Sequence, residues 1–133
     1  MALREEKNLT IIRKNGMLPR IPFSEIKEAL LGKKYSLSVN FVPPGEAKAL
    51  NLTYRQKDYI PNVLSFPLSE YEGEIYICLS IVRKGAKEFA MSYEKFLHLI
   101  LIHGCLHLKG HDHSSTMDDM EEKYLNKFYR GKK

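Results

Sequence analysis

Apolar residues recur along this chain in two rhythms, one of two residues and one of three to four. Residues 8–13, with Leu9, Thr10, Ile11 and Ile12, are rich in β-branched side chains and predict a first strand. Over 35–42, Tyr35, Leu37, Val39 and Phe41 alternate with Ser36, Ser38 and Asn40, which predicts a second, half-buried strand. Residues 63–66 form a short third strand stopped by Pro67, placed at a sheet edge because proline cannot donate to a ladder. The same alternation over 74–79 supplies a fourth.

The helical rhythm occupies the intervening segments. Phe23, Ile26, Ala29 and Leu30 mark a helix over 22–31, with Pro22 near its start and Gly32 just past its end. Ala47, Leu50 and Tyr54 predict one apolar face on a helix over 46–54, and Ile81, Val82, Ala86 and Phe89 another over 80–89. The segment 93–108 is apolar almost all round, with Ser92 as its N-cap, and a helix of that kind is the buried axis of its domain. Ser114, Ser115 and Thr116 cap a last helix whose apolar face comprises Met117, Met120, Tyr124, Leu125 and Phe128. No repeat, low-complexity stretch or linker interrupts the 133 residues, so residues 1–133 are expected to form a single domain.

Composition narrows the class. Hydrophobic content of 44 % with 28 % charged residues is that of a globular protein. The most apolar run, 96–102, is broken by His98 and far too short for a bilayer. The first residues lack the apolar stretch of a secretory signal, and Cys78 and Cys105 form no CxxC pair, so a cytoplasmic protein is expected, with no membrane partner. Basic residues outnumber acidic ones 21 to 16. That excess suits a polyanionic partner, since Lys and Arg that neutralise phosphates release condensed counterions; a mildly basic solvated surface explains it equally well.

The candidate chemistry lies at the end of the buried helix. His103, His107 and His113 stand in the spacing H-x3-H-x5-H, with Gly110 between the last two. Helical residues turn by about 100° each, so His103 and His107 project from one face, one turn apart. Gly110 can take the left-handed conformation that ends a helix and turns the chain back, bringing His113 round as third ligand. Three imidazoles with an open fourth position describe a catalytic zinc site. Cys105 is turned roughly 160° from both helical histidines and is read as core packing.

The ligand spacing is similar to that of metzincin proteases, but those carry a Glu general base after the first His, where this chain has Gly104. The fuller resemblance is to the YbeY family of bacterial metal-dependent endoribonucleases. His103, Gly104, Leu106, His107, Leu108, Gly110, Asp112 and His113 match its H-G-x-L-H-L-x-G-[YF]-D-H motif. Leu50, Asn51, Tyr54, Arg55, Lys57 and Asp58 match L-N-x-x-Y-R-x-K-D, and residues 62–67 match [DN]-V-L-S-F-P. His111 stands in place of the family's aromatic residue, Pro61 where Thr is frequent and Glu74 where Asp is usual.

The resemblance implies an α+β, zincin-like single domain: a mixed sheet of about four strands packed on helices, with the first two His ligands on the buried central helix. It also implies a single-strand-directed endoribonuclease of ribosomal RNA maturation and quality control, acting on the small subunit with one zinc or other divalent ion. His103, His107 and His113 would be the metal ligands, with His111 the alternative for the third. Arg55 would be the functional arginine, its planar fork suited to a phosphate or its transition state. His103 and His107 join it as catalytic candidates. Lys57 and Ser65 are further substrate-binding candidates, with a core role the alternative for Ser65. Asp112 is expected either to accept a ligand imidazole N–H or to cap the turn. Two other readings stay open: a ribosome-associated RNA-binding assembly factor with a structural metal, and a zinc protease lacking the usual Glu.

Overall fold

The computed structural model describes residues 2–111 and 114–129, with residues 2 and 3 described by backbone alone. Five strands, β1 (Ala2–Glu6), β2 (Leu9–Arg13), β3 (Ser36–Phe41), β4 (Val63–Ser69) and β5 (Glu72–Ile77), form one sheet in the order β1-β2-β3-β5-β4. The sheet is mixed: β1/β2 and β4/β5 are antiparallel, and β2/β3 and β3/β5 are parallel. The helices are α1 (Phe23–Leu31), α2 (Pro44–Arg55), α3 (Leu79–Glu88), α4 (Tyr93–Leu108) and α5 (Ser115–Phe128).

The strand not expected from the sequence is β1. Its described side chains, Arg4, Glu5 and Glu6, are exposed, so no buried face imposes an alternation of apolar residues. Charges on such a sheet edge also discourage pairing with another chain. The other edge is β4, as Pro67 requires, but the strand continues past the proline to Ser69 through a register shift between Pro67 and Ser69.

The central helix α4 spans the predicted residues. Ser92 caps it by accepting from the Lys95 N–H at 3.1 Å. Phe96, Leu97, Leu101, Ile102, Cys105 and Leu106 are all buried in one core with Val39, Phe41, Ile75 and Ile77 of the sheet. The helices α1, α3 and α5 and strand β4 pack around it. Even His98 is buried, its Nδ1 2.7 Å from the Glu94 carbonyl and its ring edge-on to Tyr129. A side chain at the end of α4 is therefore held by the most completely packed element of the fold.

One predicted face is different. On α2 the fully buried pair is Ala47 and Asn51, whereas Tyr54 is 64 % exposed and lies edge-on against Phe66 of β4.

Candidate active site

The helix α4 stops through two backbone bonds, Gly110 N–H to the His107 carbonyl and His111 N–H to the Leu106 carbonyl, both 3.0 Å. Gly110 sits at φ +101°, a conformation open to glycine and strained for other residues, and the two bonds together form a Schellman motif. The predicted stop of the helix at Gly110 is thus present. His113 and Asp112, the expected third ligand and its neighbour, lie outside the described residues.

His103 and His107 face one another with their Nε2 atoms 3.0 Å apart and their rings nearly perpendicular. Behind His103, Nδ1–H donates to Oε2 of Glu121 on α5 in a short contact between two largely buried side chains. A carboxylate on Nδ1 fixes the imidazole proton there and turns the Nε2 lone pair toward His107. Among the described residues no three or more His, Cys, Asp or Glu side chains are grouped as a cage for an ion. Cys105 is not part of the pair: it is completely buried, and burial pushes its thiol up to about 12, which suits core packing.

The pair lies in a cleft of about 760 Å³. Arg55, Tyr59 and Ser65 stand on its walls with His103, His107 and Glu121. Arg55 ends α2, where Gln56 takes a left-handed conformation and closes the helix. Its Nη1 donates to Oδ1 of Asn51 one turn earlier at 3.1 Å. Asn51 Nδ2 donates to the Tyr59 carbonyl at 3.1 Å, so one buried amide fixes both the guanidinium and the loop beside it. Lys57 is exposed and does not line the cleft. The Ser65 hydroxyl donates to the Gly104 carbonyl at 2.9 Å, tying the edge strand to α4.

Gly104 decides between two chemistries. A Cβ there would meet Ile75 Cδ1 and Ser65 Oγ at 3.2 Å each, so a side chain at this position presses on β5 and β4. With glycine at this tight position the chain has no glutamate base after the first histidine, and the protease reading lacks the group it needs.

Glu121 and Asn51 each leave a signal in the helical pattern of the sequence. Each is a polar residue set within an apolar helical stripe, Glu121 between Met117 and Leu125 and Asn51 four residues after Ala47. Buried polar groups of this kind have partners, and both partners here are site residues.

Fold and cleft define a mixed α+β protein in which a helix-borne histidine pair, backed by a carboxylate, shares one cavity with an arginine. The chain belongs to the YbeY family: the family model for Endoribonuclease YbeY matches residues 16–131. Endoribonuclease YbeY of Thermotoga maritima is 40 % identical over 101 residues, covering 70 % of this chain and 67 % of that protein. The protein of the same name from Staphylococcus carnosus is 36 % identical over 107 residues, covering 71 % and 70 %. The solution structure of TM1509 from Thermotoga maritima is similar with a TM-score of 0.56 and 33 % identity over 87 % of each chain.

Proposed function

We propose that the chain is a metal-dependent endoribonuclease that cuts single-stranded segments of ribosomal RNA during small-subunit maturation in the cytoplasm. One observation carries the reading: the facing imidazoles of His103 and His107 in the same cleft as Arg55. Membership of the YbeY endoribonuclease family supports it. No helix among the described residues is long and apolar enough to cross a membrane.

The residues present suit a zinc ion. Two imidazoles on one zinc, at about 2.0–2.1 Å each with a tetrahedral angle, have nitrogens roughly 3.3 Å apart; the observed 3.0 Å needs only a small adjustment. His103 and His107 would hold the ion with His113 as third ligand. When bound, such an ion supplies Lewis-acid activation at the phosphodiester near neutral pH.

The chain's own groups do the remainder. The guanidinium of Arg55 offers parallel donors to a non-bridging phosphate oxygen and to the charge that grows there in the transition state. Asn51 limits its rotation, which lowers the entropy lost when the phosphate binds. Glu121 keeps the His103 proton on Nδ1, so that Nε2 is free of a proton where an ion is to be held.

The test is cleavage of ribosomal RNA by protein of measured metal content. Wild type is expected to carry about one zinc per chain and to cut; His107→Ala should lose both properties, and Arg55→Ala the cutting alone. Intact RNA after incubation with zinc-loaded wild type would overturn the enzyme reading. Equal rescue of ribosome maturation by wild type and Arg55→Ala would instead indicate an RNA-binding assembly factor with a structural metal.

A further inference from the structure

The cleft is more apolar than a phosphate needs. Along α4, Phe96, Ile100, His103 and His107 follow one another on a single face at helical spacing, so the cavity runs from the histidine pair toward the start of the helix. By helix rise its far end, at Phe96, lies about 10 Å from His103. That end is walled by Phe96 and Leu99, with Phe89 at the carboxyl end of α3.

Phe89 is the unusual residue. It is 65 % exposed although it is a large apolar side chain, and its ring stacks on the buried Phe96 ring, centroids 5.6 Å apart and planes 28° from parallel. Stacking on a buried ring holds it in place, and its exposure leaves most of its surface open to a ligand. A ring held in place beforehand loses little entropy on binding.

We infer that Phe89 and the apolar end of the cleft form a pocket for one unpaired nucleobase near the scissile phosphate, the base stacking on the open side of Phe89. The inference rests on the endoribonuclease reading above. A nucleic acid offers three kinds of surface: an anionic phosphate, a hydroxylated sugar and a base with two flat π-faces. Only the base suits an aromatic, apolar wall, and stacking on an aromatic side chain is how unpaired bases are held. The occupant is assigned by continuity, because the same cavity that contains Phe89 contains Arg55 and the histidine pair. A base at one end and a phosphate at the other would belong to one strand.

The experiment uses the metal-loaded full chain and a short RNA oligonucleotide that wild type cuts at one position. Phe89→Ala should raise KM about tenfold, with kcat and zinc content held, since base–aromatic stacking contributes within that range. Phe89→Trp should restore KM. Replacing single nucleotides by abasic ones should reveal one position near the cut where wild type suffers a similar rise and Phe89→Ala suffers almost none. An unchanged KM for Phe89→Ala overturns the pocket, as does an equal abasic penalty in both proteins. The first of these results, with wild type still cutting, leaves the enzyme reading intact and points to a protein ligand for the exposed ring. Failure of wild type to cut any RNA defeats the enzyme reading instead.

Discussion

Oε2 of Glu121 accepts the Nδ1 hydrogen of His103 across 18 residues of sequence, joining α5 to the end of α4 at the floor of the cleft. Neither residue has this role alone, because an imidazole without a partner on Nδ1 is free to exchange tautomers. Glu121→Gln keeps the size of the side chain and an oxygen able to accept from Nδ1, but removes the negative charge that holds the proton there and strengthens Nε2 as a ligand. Zinc affinity, measured by competition with a chromophoric chelator, should fall about 10- to 100-fold, with little change in thermal stability. Unchanged affinity would remove Glu121 from the site.

Ile75 and Ser65 crowd the space that a side chain at Gly104 would take, each within 3.2 Å of its Cβ position. Gly104→Ala gains about 1 kcal/mol in helix propensity, but overpacking beneath a buried helix costs about 1–3 kcal/mol. Overpacking wins because Ile75 is fully buried and has nowhere to move. The variant should unfold at a temperature a few degrees lower, and Gly104→Glu should fail to accumulate as folded protein. A more stable Gly104→Ala, measured by calorimetry, would contradict tight packing of Ile75 and Ser65 on this position.

Asn51 is buried and bonded on both sides of its amide. Asn51→Ala leaves the Tyr59 carbonyl without this donor and releases Arg55, so stability should drop by about 1–3 kcal/mol in urea titration. The kcat for RNA cleavage should fall further than the folded fraction does. Asn51→Asp retains the acceptor for Arg55 and loses the donor to Tyr59, so it should recover more activity than stability. Equal losses in both variants would mean that Asn51 serves the fold only.

Tyr76 supplies a pH dependence. Burial, reinforced by the neighbouring Glu74 carboxylate to which its hydroxyl donates at 3.2 Å, pushes its phenol from 10.0 up to about 12. The unfolded chain therefore releases this proton above pH 10 while the folded chain retains it. Its contribution is complete below pH 10 and disappears as pH rises toward 12. Denaturant titrations across that window should show stability declining with pH, and Tyr76→Phe should flatten the slope. An unaltered slope in Tyr76→Phe would assign the decline to other groups.

Periodicity and spacing determined a great deal of this protein. The alternation at 35–42, the all-round apolar segment 93–108 and the Gly110 stop are local properties, set by which side chains each backbone conformation can bury. Local pattern is therefore enough for α4, its cap at Ser92, the one-turn pairing of His103 and His107, and the edge position of β4. It did not determine β1, whose exposed charges carry no period, nor the buried face of α2, where Asn51 displaced Tyr54 because its amide had two partners to satisfy.

The surroundings of the histidines come from the packing of distant elements. Glu121 reaches His103, Ser65 closes on Gly104, and Arg55 comes into the cleft of His107 through contacts between residues distant in sequence. Such contacts depend on how the elements pack, and no local period encodes them. The three-histidine spacing suits a peptidase as well as a nuclease; Gly104, crowded by Ile75 and Ser65, leaves the peptidase without the base its chemistry requires.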